Sequence, residues 1–99
     1  LYQLAQVPVA TRTDAARVFP NPYRAASDGY VTIDKVPPFS RVRVTTLRGE
    51  TLFDQRADAR GILIWTPTNA TARSVASGLY LIVVESEAAK KILKLAVVR

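Results

Sequence analysis

The sequence predicts an all-β fold, an antiparallel β-sandwich of about seven strands, and three observations lead there. From Val18 onward, short apolar segments recur at intervals of about ten residues with turn-forming residues between them. Two of these segments alternate cleanly: Val31 and Ile33 share one side of 30–34, while Val42 and Val44 oppose Arg41 and Arg43 in 41–45. Nowhere does the 3.6-residue period of an amphipathic helix persist. Two packed sheets are then the simplest way to bury so much aliphatic surface.

The elements follow in order. Residues 1–17, with Pro8 and a polar centre at Thr11 to Asp14, read as a linker or a leading strand from a preceding domain, and the sandwich is expected over 18–99. Phe19-Pro20-Asn21-Pro22-Tyr23 has two fixed φ angles and lacks two amide donors. It reads as a rigid corner that cannot lie inside a sheet, with Phe19 and Tyr23 packing on either side. Strands at 30–34 and 41–45 follow. The turn Arg48-Gly49-Glu50, where Gly49 supplies a positive φ, joins 41–45 to Thr51-Leu52-Phe53 as an antiparallel hairpin. Gly61 to Trp65 is apolar on both faces and reads as a strand covered on each side, as does Leu79 to Val84. Between them, Thr66 to Ser77 is a polar loop with Pro67 and Asn69 as turn residues. After Glu85 to Ala89, where Ala88-Ala89-Lys90-Lys91 has the makings of a short helix cut off by β-branched residues, 92–98 forms the closing strand.

Composition narrows the function. A chain of 99 residues is enough for one core, burying roughly two thirds of its unfolded surface. It holds no Met, which fits a piece of a longer protein, and no Cys or His. Thiolate nucleophiles, imidazole bases and the usual zinc ligands are therefore missing. Asp14, Asp34, Asp54 and Asp58 are scattered, Asp54 and Asp58 lack calcium-loop spacing, and no glycine-rich phosphate loop occurs. The expectation is a non-enzymatic domain without cofactor. Its longest apolar run, Leu79 to Val84, falls well short of the roughly 20 residues that span a bilayer. The net charge of +6 invites anionic partners. Because the basic residues are dispersed and lack interleaved aromatics, a solvated surface is favoured and nucleic acid is not expected as a partner.

Several residues carry both a structural and a functional reading. Trp65 beside Ile62 and Ile64 is expected in the core; the competing reading is a sugar-stacking platform. Gly78 permits a sharp bend before the strand, and Tyr80 buries its ring while its hydroxyl seeks a backbone acceptor, as in a tyrosine corner. Lys90, Lys91 and the closing segment with Val97, Val98 and Arg99 read as a solvated turn and an edge strand, open to strand addition or self-association.

Taken together, Phe19-Pro20-Asn21-Pro22-Tyr23, Leu47-Arg48-Gly49-Glu50, Trp65, Val75-Ala76-Ser77-Gly78-Leu79-Tyr80 and Lys90-Lys91-Ile92 through Val97-Val98-Arg99 resemble the Ig-like C-terminal sorting domain of the bacterial type IX secretion system. The family usually has a glycine before Val-Ala-Ser-Gly, where this chain has Arg73 or Ser74. The resemblance implies a secretion signal that directs a parent protein from the periplasm through the outer-membrane translocon to the cell surface or medium. It also implies a surface sortase and an anionic lipopolysaccharide as partners, and places recognition in Gly78, Tyr80, Lys90, Lys91, Val97, Val98 and Arg99. The rival expectation is a structural Ig-like or carbohydrate-binding module appended to an extracellular enzyme.

Overall fold

Alternation, turn chemistry and one crossover corner assemble the chain into two packed sheets. In the computed structural model, residues 15–68, 73–87 and 89–99 are described. Among them are eight strands: β1 (Arg17–Phe19), β2 (Tyr23–Arg24), β3 (Val31–Asp34), β4 (Arg41–Thr45), β5 (Thr51–Arg56), β6 (Leu63–Trp65), β7 (Gly78–Glu85) and β8 (Lys90–Val98). One sheet runs β1-β3-β6 and the other β2-β8-β7-β4-β5. The all-β sandwich expected from the sequence is thus present, with one more strand than the estimate and with one pairing, β2 on β8, parallel. Most of residues 1–17 lies outside the described residues, but Ala16 is buried and Arg17 already belongs to β1.

The alternating strands behave as their patterns require. Val31, Ile33, Val42 and Val44 are fully buried. They meet Ile82, Val84, Leu95 and Val97 from the long hairpin β7–β8 in one cluster. Trp65 of the small sheet reaches across to Phe53 of the large one, ring centroids 5.7 Å apart and tilted, adding an aromatic contact to the aliphatic packing between the two layers. The β4–β5 turn has the expected form: Gly49 sits at φ +94° and Thr46 N–H donates to the Glu50 carbonyl at 2.9 Å.

Three expectations are corrected. Leu79 to Val84 is not covered along both faces: Leu79 is exposed and Leu81 half-buried on the outer side of β7, because that side of the five-stranded sheet faces solvent. β6 is not covered on both sides: it is an edge of the three-stranded sheet, and while Trp65 is 2% exposed, Ile64 between the strand's inward residues is 54% exposed. An apolar run cannot distinguish a sandwiched strand from an edge strand whose outer face is also apolar. The lysine pair initiates no helix either. Lys90 and Lys91 already belong to β8, opposite Glu85 and Val84, and Ser86 N–H donates to the Ala89 carbonyl to close the hairpin.

At one end, the β3–β4 and β5–β6 connections interlock. Phe39 N–H donates to the Asp58 carbonyl and Ala57 N–H to that of Ser40. A Cβ on Gly61 would lie 2.0 Å from the Val36 carbonyl oxygen, so only glycine permits this approach. Asp58 ties the second loop locally, accepting from the amides of Arg60 at 2.8 Å and Ile62 at 3.0 Å. Its carboxyl is held below the usual carboxylate range, first by the Ile62 amide and then by Arg60, against the opposing effect of burial.

Candidate functional site

The residues singled out in the sequence converge on β8. Its apolar alternation places Leu93, Leu95 and Val97 toward the core, with Lys91 at the end of the same row, and turns Lys90, Ile92, Lys94, Ala96 and Val98 outward. Gly78 opens β7 opposite Val97, and Tyr80 faces Leu95. Gly49 lies at the far hairpin and Trp65 in the core, so those two belong to the scaffold rather than to this strand.

The Phe19–Tyr23 corner is the first anchor. It carries the chain from β1 in the small sheet to β2 in the large one, with both X-Pro bonds cis. The prolines cannot donate to a ladder, and Asn21 between them takes over with its side chain. Its Nδ2 donates to the Lys94 carbonyl at 2.7 Å, and its Oδ1 accepts from Ala96 N–H at 3.1 Å. A side-chain amide has the same donor and acceptor pair as a peptide unit, so Asn21 extends the parallel β2–β8 ladder where its backbone cannot. Tyr23 is buried as expected, whereas Phe19 is exposed under the Arg17 guanidinium, 5.0 Å from the ring centroid, and does not pack in the core.

The second anchor lies at the other end of the strand. Tyr80 buries its ring and donates its hydroxyl to the Ala76 carbonyl at 2.7 Å. Arg99 serves the same loop: its Nε donates to the Val75 carbonyl, its Nη2 to that of Pro67 at 3.4 Å, and its backbone N–H to Ser77 Oγ at 2.9 Å. Pro67 and Val75 are themselves buried, and Val75 N–H donates to the Pro67 carbonyl at 3.2 Å, with a bridge between Thr68 and Ser74. Arg99 is therefore a clamp on the 66–77 connection; Asn69 of that connection lies outside the described residues. Neither Asn21 nor Arg99 stood out in this role, because Pro-Asn-Pro reads as an interruption and a final arginine as a solvated charge.

The electrostatics of the outer face follow from register. Lys90, Glu85, Arg41 and Arg56 form one row across β8, β7, β4 and β5; Ile92, Val83, Arg43 and Asp54 form the next. Glu85 is bound by Arg43, and Asp54 by Arg41 through two contacts of 3.0 and 2.6 Å. The Arg41 hydrogen bonds hold the Asp54 carboxyl below its ordinary range. Asp54 and Asp58 are thus engaged by arginines and backbone amides in separate elements.

This arrangement of a two-sheet sandwich closed by a tethered strand has a solved counterpart. No protein-family model matches the chain, and no curated protein matches it. Among solved structures it is similar to part of PorZ, described as an essential bacterial surface component of the type IX secretion system of Porphyromonas gingivalis, with TM-score 0.80 and 28% identity over 92% of the chain. The likeness supports a domain related to type IX secretion. It spans only 12% of PorZ, so what the whole of PorZ does is not carried across by the match.

Proposed function

We propose that this domain is a non-catalytic sorting and docking module of the type IX secretion system. It directs a parent protein from the periplasm through the outer-membrane translocon, and it presents that protein at the cell surface for attachment or release by a surface sortase. The observation that carries the reading is the 28% identity maintained over 92% of the chain with a portion of a type IX surface component. The five ordered sequence motifs support it independently. Their disposition supports it too: all but the Gly49 turn and Trp65 border β8 or its two anchors. Anionic lipopolysaccharide enters this reading as the acceptor to which the parent protein is joined.

A fusion of a folded reporter ahead of Leu1, expressed in a bacterium with the type IX machinery, tests the reading. The unmodified domain delivers the reporter to the surface. Replacing Lys90 and Lys91 by Gln leaves the apolar residues of β8 in place, changes stability by about half a kcal/mol, and retains folded reporter in the periplasm. Arg99 is best left out of that set, because its guanidinium holds the 66–77 connection and its loss confuses folding with recognition. A reporter that stays in the periplasm with the unmodified domain overturns the reading in favour of a structural module.

A further inference from the structure

We propose that the outward face of the five-stranded sheet, centred on Ile92 between Lys90 and Lys94, docks a partner protein whose carboxylates surround an apolar patch. The inference deepens the sorting reading by naming the docking face. Only the partner's membership of the type IX machinery rests on that reading.

Charge segregation is the first observation. The strand residues on this face include Arg24, Arg41, Arg43, Arg56, Lys90 and Lys94 against Glu85 and Asp54, six cations to two carboxylates, a local excess of four. Both carboxylates are consumed within the face, by Arg43 and Arg41. Arg24, Arg56, Lys90 and Lys94 form no ion pair among the described residues. On the outward face of the three-stranded sheet, by contrast, the strand charges are Arg17 and Asp34, which neutralise each other at 2.7 Å. Among the described strand residues the basic excess therefore gathers on one side, and such a side selects an acidic partner and speeds its encounter.

The second observation is what lies between the charges. Ile92 is 51% exposed, and Leu79 and Val98 on the same face are each 41% exposed. The aromatic residues of this sheet, Tyr23, Phe53 and Tyr80, all belong to the inward set or pack against the core. Among the described residues, the strands of this sheet therefore turn no ring outward on which sugars or bases could stack. Aliphatic side chains ringed by lysine and arginine instead provide the apolar centre and polar rim of a protein interface.

The experiment places a photoreactive p-benzoylphenylalanine at Ile92 or Leu79 on this face, or at Ile64 on the opposite one, in the full domain. Each is irradiated with purified type IX outer-membrane translocon, and the labelled species is identified by mass spectrometry. The expected result is a polypeptide crosslink from positions 92 and 79 and none from 64. Lys90→Glu combined with Lys94→Glu reduces its yield by about tenfold or more through like-charge juxtaposition, high salt weakens it, and the thermal midpoint falls only slightly, from the new carboxylate opposite Glu85, with the domain still folded at the temperature of the experiment. Equal labelling from position 64, indifference to charge reversal, or label on lipopolysaccharide rather than protein overturns the inference. Export without labelling from position 92 overturns it while leaving the sorting reading intact. Failed export with lysine-dependent labelling of a purified acidic outer-membrane protein does the reverse, and failure of both export and labelling removes both.

Discussion

The two sheets contribute to the same core and have opposite surfaces. The three-stranded sheet is built from strands of three, four and three residues, turns Phe19 and Ile64 outward, and carries a single mutually neutralised ion pair among its strand charges. The five-stranded sheet contains the eight- and nine-residue strands β7 and β8 and, among the described residues, carries all of the strand cations that form no ion pair. Core residues come from both, since Trp65 of the small sheet touches Phe53 of the large. Stability should therefore respond to inward changes on either sheet, while recognition should respond to outward changes on one only.

The largest expected effect lies where the layers meet. Trp65→Ala removes the aromatic contact between them and a large fully buried side chain of the shared core, and should cost about 3–5 kcal/mol, measured by urea denaturation. A cost below about 1 kcal/mol would place the indole at the surface and break the shared-core half of the comparison. Trp65 fluorescence should accordingly resist quenching by iodide. Its Nε1 has no hydrogen-bond partner among the described residues, so Trp65→Phe discards an unsatisfied donor and should be markedly milder than Trp65→Ala.

Next come the anchors of β8. Tyr80→Phe and Arg99→Gln each remove side-chain bonds to the 66–77 connection and should each cost about 1 kcal/mol, with about a twofold spread. Because Val75 and Ala76 are adjacent acceptors, the double variant should lose less than the sum, a coupling visible in a double-mutant cycle. Asn21→Ala should cost a similar amount, about 1 kcal/mol, by orphaning Lys94 C=O and Ala96 N–H on the strand edge. Additive losses for Tyr80 and Arg99 would separate the two anchors that the structure joins.

How much of this was legible in the sequence depended on range. Period-two alternation revealed the inward residues of β3 and β4, and Gly49 revealed the hairpin, because both are local properties of a few consecutive residues. The edge position of β6 was hidden, since the solvent side of Ile64 is decided by where the sheet ends. The ladder role of Asn21 depends on residues 73 and 75 positions away, and the clamp of Arg99 on partners 24 and 32 positions away. The basic face is less legible still: it requires the registers of β2, β8, β7, β4 and β5 together. The chain's positive charge was readable, and its side was not.

The smallest expected effects concern acid, and they refine the comparison by separating a loop carboxylate from one on the basic face. Asp58 and Asp54 both have carboxyls lowered by folding, Asp58 chiefly by the Ile62 amide and Asp54 chiefly by Arg41. A carboxyl lowered in the folded state stabilises above its unfolded value, about 3.9, and that contribution disappears as pH falls through the lower folded value. Urea midpoints measured from about pH 5 down to about pH 3 should therefore fall, and Asp58→Asn should flatten the fall more than Asp54→Asn does. The reason is geometric: Asp58 holds backbone amides that shape the β5–β6 connection, whereas Asp54 and Arg41 form a solvent-screened pair. Asp54→Asn has its consequence elsewhere. It releases Arg41 and raises the excess on the five-stranded face from four to five, so docking should strengthen at low salt while stability at neutral pH hardly moves. Unaltered docking in that variant would show that the face works through its aliphatic centre alone and that its charge asymmetry is incidental.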